Sequence, residues 1–351
     1  MDRRLPLPKF NLVRSHIQEL CGAARYETLM RIVVTGGAGY IGSVCVELLC
    51  DSGHEVLVID NLGEGHRAAV DPRASLEVMD LKEPERLSDV LSSHGAEAVI
   101  HYAADTLVGE SVSNPAKYYR NNLVGGLNLL EAMVSSKVAK IVVSSTCATY
   151  GAPDKIPIDE GCSQSPVSPY GHSKLAFEGM LGCFARAHGI DPVIFRYFNA
   201  AGASKNFGED HRVETHLIPV ILSVALGERE CVEVFGTDYD TSDGSAVRDY
   251  VHVGDLAEVH RRAVEGKVTG AFNLGTGQGH SVREVIEVCR EVTGHDIPVK
   301  ESPRRKGDPP VLVASNEKAA SALGWCPATN LREIVVSAWE WHRAHPQGYG
   351  D

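Results

Sequence analysis

Tyr170 and Lys174 stand four residues apart in Pro169-Tyr170-Gly171-His172-Ser173-Lys174, a spacing that puts both side chains on one face of a helix. A phenol titrates near pH 10 when unperturbed, and an ammonium beside it stabilises the phenolate. The pair therefore reads as a tyrosine made usable as a general base near neutral pH. Ser144-Ser145-Thr146 ends an apolar run and would deliver hydroxyls to the same cleft at the carboxyl end of a strand. A Tyr/Lys pair at this spacing is common on helix surfaces, so its chemistry depends on what else the chain brings near it.

Thr35-Gly36-Gly37-Ala38-Gly39-Tyr40-Ile41-Gly42 supplies that context, with Gly36, Gly39 and Gly42 in GxxGxxG spacing after an apolar strand. Glycine is needed there for a sharp turn, for close approach of backbone to a pyrophosphate, and for packing of helix on strand. The helix that follows offers free amides and a positive dipole end to phosphate. Asp60 ends the next strand, 24 positions after Gly36, close to the ~20-residue spacing of an acid that binds an adenosine ribose. A carboxylate there accepts from the 2′-hydroxyl and repels a 2′-phosphate, which favours NAD over NADP. Arg67 lies nearby in sequence and could serve a 2′-phosphate.

The elements that must position these groups alternate. Arg31–Thr35, Glu55–Asp60, Ala98–Tyr102, Lys140–Ser145 and Val193–Phe198 read as buried strands, and Cys45–Asp51, Glu83–Ser93, Asn121–Ser136 and Lys174–His188 as helices between them. Alternating β and α units with right-handed crossovers predict an α/β fold of Rossmann type, a doubly wound parallel sheet. Beyond Ala200 the pattern loosens; strand-like Val232–Phe235 and helical Val282–Thr293 suggest a smaller C-terminal α/β domain interleaved with the first. Lys205–Val213 reads as a loop with no recognisable role.

Bulk properties narrow the function classes. The chain has 351 residues, ordinary hydrophobic content and a formal net charge of -12, which argues against a nucleic-acid partner. Nine cysteines lie scattered without a CxxC pair or a His spacing that suggests zinc, so they read as buried hydrophobes of a reducing, cytoplasmic setting and no metal is expected. No apolar stretch approaches the ~18 residues of a membrane span. Residues 1–29 carry Arg3, Arg4, Lys9, Arg14 and Arg25 without the apolar core of a secretory signal, and read as a loose N-terminal extension.

Together these segments resemble the UDP-glucose 4-epimerases of the extended short-chain dehydrogenase family along nearly all of Met30–Asp351. The resemblance runs through Thr35–Gly42, Asp60-Asn61-Leu62, His101–Ala104, Val108–Val112, Tyr118–Asn122, Tyr170–Lys174, Arg196–Gly202, Val247–Val253, Arg304–Pro309 and the closing His345–Tyr349. Tyr197-Phe198-Asn199, Thr215–Pro219 and Arg248-Asp249-Tyr250 are the segments that narrow it to nucleotide-sugar enzymes.

The resemblance implies a division of labour. Residues 30–200, with later strands from about 245–275, would bind NAD, and 201–351 would mainly bind the UDP-sugar. Gly36, Gly39, Tyr40, Ile41, Gly42, Asp60, Asn61, Asp80, Leu81, Tyr102, Ala103 and Asn121 would line the NAD groove. Tyr197 would flank the nicotinamide, and Lys174 would hold the ribose and tune Tyr170. Thr146 would hydrogen-bond the sugar 4-oxygen, from which Tyr170 would take the proton. Asn199, His216, Leu217, Phe235, Arg248, Arg305 and Asp308 would contact UDP; guanidinium forks suit a diphosphate. The implied reaction oxidises and re-reduces the sugar C4 through a 4-keto intermediate, interconverting UDP-glucose and UDP-galactose. Family members also pair as homodimers through two long helices, here Asn121–Ser136 and Lys174–His188.

Two positions depart from the common pattern: Thr106, where some members carry a lysine, and Leu312, intermediate between residues that exclude and admit N-acetyl groups. UDP-xylose/arabinose or UDP-N-acetylhexosamine thus stand as alternative substrates. A 4,6-dehydratase would need an acid pair after the active-site threonine, and here Cys147 and Ala148 follow Thr146. A non-catalytic NAD-binding regulator is the reading from another class; such proteins lose the tyrosine or the lysine, and both are present.

Overall fold

The computed structural model describes residues 29–305 and 307–350; the expected extension over 1–29 lies, but for its last residue, outside them. In chain order the strands are β1 (Arg31–Thr35), β2 (Glu55–Asp60), β3 (Ser75–Val78), β4 (Ala98–His101), β5 (Lys140–Thr146), β6 (Asp191–Tyr197), β7 (Asn199–Ala201), β8 (Val232–Phe235), β9 (Val247–His252), β10 (Gly270–Leu274), β11 (Gly279–Ser281), β12 (Val299–Ser302) and β13 (Val311–Leu312). The longer helices are α1 (Tyr40–Asp51), α2 (Pro84–His94), α3 (Gly125–Ser135), α4 (Pro169–His188), α5 (Leu217–Ala225), α6 (Val253–Glu265), α7 (Val282–Thr293) and α8 (Leu331–Ala344).

Seven strands form one parallel sheet in the order β10-β6-β5-β4-β1-β2-β3. The order reverses at β1, which lies between β2 and β4, and such a switch point opens a crevice at the carboxyl ends of the strands. Alternation along the strands divides the core between the two faces. Ile32, Val34 and Val58 pack with Val44, Leu256 and Trp325 on the side of α1 and α6. Val33, Leu57 and Ile59 pack with Leu87, Leu129, Phe177 and Leu181 on the side of α2, α3 and α4. Side chains of this size contribute about 1.5–3 kcal/mol each on burial, so the strand ends rest on a rigid base.

The fold class expected from the alternation is present, with differences in detail. Helix α1 begins at Tyr40, earlier than the periodic stretch Cys45–Asp51, because Gly39 forms its N-cap. The single helix expected over Asn121–Ser136 is a π-helical segment, Tyr119–Val124, followed by α3. Of the chain around 245–275, only β10 joins the central sheet, parallel to β6. Strand β9 instead forms a second sheet with β7, β11 and β13. Helices α5, α7 and α8 cover that region through Ile218, Ile221, Val285, Ile286, Ile334 and Val335. Strand β8 pairs with β12 on its own. No helix among the described residues is long and apolar enough to cross a membrane.

Candidate active site

The crevice at the switch point is built around the turn from β1 to α1. Gly36 has φ +74, and a Cβ there would fall 2.7 Å from Ala103 Cα; a side chain is excluded by conformation and by the β4 loop together. Both Tyr102 N (2.8 Å) and Ala103 N (3.1 Å) donate to Thr35 O, locking that loop against the turn. A Cβ on Gly42 would lie 2.9 Å from Gly37 Cα, so glycine is what lets α1 start this close to the strand. The backbone is thus bare where a pyrophosphate would have to approach.

Asp60 closes the crevice from β2. Its Oδ2 accepts from Ala38 N at 3.1 Å and its Oδ1 from Leu62 N at 2.9 Å. Burial raises its pKa, and these two amides offset part of the shift. A carboxylate has about four acceptor positions, so capacity remains for ribose hydroxyls. Beside it, Asn61 Nδ2 donates to Asp80 Oδ2 at 3.1 Å, and Asn128 Nδ2 donates to Leu81 O at 2.9 Å. The Asn61–Asp80 bond therefore ties the turn after Asp60, the expected ribose acid, to Asp80 and Leu81, the expected adenine-side pair. The Tyr102 ring packs on His260 with centroids 5.0 Å apart. Asn121 lies in the π-helical segment. Its neighbour Asn122, which the sequence reading passed over, bonds Asp105 N (2.8 Å), Asp105 O (3.0 Å) and Ser173 Oγ (3.1 Å). It thereby fixes the β4 loop to the Tyr170 helix.

Strand β5 and helix α4 carry the reactive groups. Ser168 Oγ caps α4 by accepting from Gly171 N at 3.2 Å, and Pro169 occupies the first turn, which suits a residue without an amide hydrogen. A Cβ on Gly171 would lie 2.7 Å from Ala148 O, so glycine after Tyr170 allows α4 to abut the end of β5. Thr146 Oγ1 accepts from Ala148 N at 3.1 Å at the end of β5. Lys174 is buried and its Nζ donates to Ser144 O at 2.8 Å.

This geometry corrects one expectation. Burial pushes Tyr170 up to about 12, with the Thr146 hydroxyl pulling the other way. Lys174 does not lower it: burial brings the lysine down to about 8, and its ammonium points at the Ser144 carbonyl. Desolvation is the largest influence on both groups. Tyr197 is the last residue of β6. Its ring is buried in the core and its hydroxyl meets His260 Nε2 at 2.5 Å. The next residue, Phe198, instead packs in a small cluster with Tyr150, Ile158, Cys147 and Leu312 at the end of β5.

The expected UDP-contact residues fall into two groups. Arg248 on β9 is ion-paired with Asp308, and the Arg305 guanidinium lies 4.0 Å above the centre of the Phe235 ring, a cation–π contact that holds it flat. Leu312 pairs in register with Arg248, and Asn199 with Tyr250 across β7 and β9. His216 and Leu217 stand at the start of α5. The His216 side chain is turned toward Glu214 (3.1 Å) and toward Glu209 (2.8 Å), the latter within the Lys205–Val213 stretch that carried no role in sequence. Asp249 is fully buried, and its carboxylate accepts from Thr276 N and Oγ1, Gly277 N and Ala314 N at 2.6–3.1 Å; it fastens the loops that flank Arg248.

Comparison with known proteins decides among the enzymes that share such a crevice. The NAD dependent epimerase/dehydratase family profile matches residues 32–275. The chain belongs to the NAD dependent epimerase/dehydratase family. Within it, the UDP-glucose 4-epimerase of Halalkalibacterium halodurans is 51% identical over 91% of this chain and 98% of its own length. The crystal structure of UDP-glucose 4-epimerase from Brucella ovis in complex with NAD superposes with a TM-score of 0.86 at 44% identity, covering 89% of this chain and 98% of that one. The Bifidobacterium longum UDP-glucose 4-epimerase in complex with NAD+ and UDP gives 0.87 at 36% identity, over 91% and 99% of the respective chains.

Proposed function

We propose that this chain is a UDP-glucose 4-epimerase, which uses NAD to interconvert UDP-glucose and UDP-galactose by inversion at the sugar C4. The observation that carries the reading is the placement of Thr146, Tyr170 and Lys174 where α4 abuts the end of β5, in a chain 51% identical to such an epimerase over 91% of its length. When bound, NAD would supply a hydride acceptor and donor at the sugar C4 that is regenerated in each turnover, so no net redox change would accompany it. Residues 30–200 with β10 hold NAD, through the bare backbone at Gly36, Gly39 and Gly42, the Asp60 carboxylate, and the Lys174 ammonium on the ribose.

Tyr170 removes the proton from the 4-hydroxyl and gives it back, while the Thr146 hydroxyl holds the same oxygen. Residues 201–351 mainly bind UDP. Arg248 and Arg305 bind the diphosphate, and Asp308 accepts from the uridine ribose. Phe235, Asn199, His216 and Leu217 complete that side. Binding energy is thus placed on the part of the substrate that does not react, leaving the sugar ring free to turn. Leu312, packed beside Phe198 and Cys147, forms one wall of the sugar pocket. Cys147 and Ala148 supply no acid pair for elimination of water, which separates this site from a 4,6-dehydratase.

Purified protein incubated with UDP-galactose is expected to form UDP-glucose and reach equilibrium without added reductant, as followed by NMR with UDP-N-acetylgalactosamine and UDP-xylose in parallel. Absence of UDP-glucose, or appearance of a 4-keto-6-deoxy product, would sink the reading. The assembly proposed is a homodimer through α3 and α4, which pack side by side next to the exposed Val124. Light scattering is expected to give twice the chain mass, and the monomer mass would refute it.

A further inference from the structure

The stretch Gly208–His216 does more than connect β7 to α5. Glu209, His211, Glu214 and His216 each bring a donor atom within 4.8 Å of the other three. We propose that these four side chains bind one zinc ion, which clasps this loop against the phosphate-binding turn. This goes beyond the epimerase reading, and its primary test does not depend on it.

Three observations carry the assignment. The donor spacings suit a single small cation. His216 Nδ1 lies 2.8 Å from Glu209 Oε1 and 3.1 Å from Glu214 Oε1, and His211 Nε2 lies 3.3 Å from Glu209 Oε1. Ligands held about 2.0–2.1 Å from zinc in a tetrahedron sit roughly 3.3 Å apart; these three pairs already match, and the others, within 4.8 Å, need to draw in to close the set. Glu209 is 4% exposed, and its Oε1 faces the two imidazoles as ion-pair partners without a well-aligned hydrogen bond. Both imidazole nitrogens are close to that oxygen but off the line a hydrogen bond needs, as groups converging on a common centre would be. The donors narrow the ion to a divalent transition metal. Two imidazoles and two carboxylates suit zinc, whereas magnesium and calcium favour sites made of oxygen alone. The two negative charges would balance the ion.

The placement suggests what the ion would do. The His211 ring meets Tyr40 edge-on at 6.2 Å, and Tyr40 opens the helix of the phosphate-binding turn. Between the ligands, Asp210 accepts from Tyr349 N at 2.8 Å, and Arg212 Nε donates to Gly63 O at 2.8 Å. The ligand-bearing loop therefore bridges the chain's end, the β2–β3 connection and the start of α5.

The test takes the full-length protein as purified, removes metal with a strong chelator, and reloads it with Zn2+ or Co2+. Expected are about one Zn2+ per chain, the visible absorption of four-coordinate Co2+ on reloading, and a melting temperature several degrees lower after chelation that Zn2+ restores. Glu209→Gln is expected to weaken Zn2+ binding by at least ~100-fold, since even outer-shell partners are worth ~10–100-fold. If Glu209→Gln does not fold, Glu214→Gln takes its place. Wild-type protein that neither holds Zn2+ nor changes its melting temperature with it would overturn the proposal and leave a purely ionic His–Glu network. Zn2+ binding that survives both substitutions would overturn it too, because the ion would then sit elsewhere.

Discussion

Tyr170→Phe is expected to lower kcat for UDP-galactose by about 10²–10⁴-fold, the usual worth of a positioned general acid–base group, while leaving the melting temperature and the retained NAD nearly unchanged. The ring stays, so its edge contact with Tyr118 at 6.5 Å stays too. What goes is the hydroxyl beside Thr146. Burial raises the phenol to about 12, which makes it a poor base at neutral pH unless positive charge arrives. Lys174, held near 8 by its own burial, can supply it only by turning from the Ser144 carbonyl. Lys174→Met should therefore slow the reaction and also weaken NAD retention, whereas Tyr170→Phe should touch the rate alone. Stopped assays with purified variants, alongside NAD released on denaturation, separate the two. A Tyr170→Phe enzyme with more than a tenth of the original kcat would show that another group moves the proton.

How much of this was legible in the sequence differs between sheet and site. Apolar runs bounded by glycine and acid gave the strands around the crevice, because residues buried on both faces leave a continuous apolar trace. Strand β3 escaped notice: Ser75–Val78 is an edge with an exposed serine and valine, so little apolar pattern marks it. Which sheet β9 would join could not be read from its residues, since the choice rests on pairing with β7, β11 and β13 far along the chain. The glycine turn and Tyr170 were visible because both depend on local spacing. The direction of the Tyr170 shift was not, because desolvation depends on what the fold packs around the ring. Likewise Glu209, His211, Glu214 and His216 match no familiar metal spacing; only the turn of the loop brings them together. Two cues were available and passed over: Glu178, four residues beyond Lys174 on a core-facing side of α4, and Arg196 inside the apolar run Val193–Phe198.

Those two residues set the second large effect, a loss of about 3–5 kcal/mol of stability in Arg196→Met, the usual cost of leaving one partner of a buried pair alone. Arg196 Nη2 and Glu178 Oε2 are 2.7 Å apart with side chains 7% and 6% exposed, so solvent screens little of their interaction. Each has further partners: Ser145 Oγ donates to Glu178 Oε1 at 2.5 Å, and Arg196 Nη1 donates to the Tyr150 hydroxyl at 2.8 Å. Tyr150 passes the chain on to Asn273 Oδ1 at 2.8 Å. With methionine at 196, the Glu178 carboxylate keeps only neutral donors in a dry interior and must take up a proton or distort β5. Because Ser145 lies between Ser144, which anchors Lys174, and Thr146, such distortion reaches the reactive groups, and kcat should fall along with stability. The double variant Glu178→Gln/Arg196→Met removes both charges and is expected to recover much of the loss. Urea melts of the two singles and the double give the coupling directly. A single variant that loses less than about 1 kcal/mol, the range of exposed pairs, would show that the pair is solvated in the working enzyme.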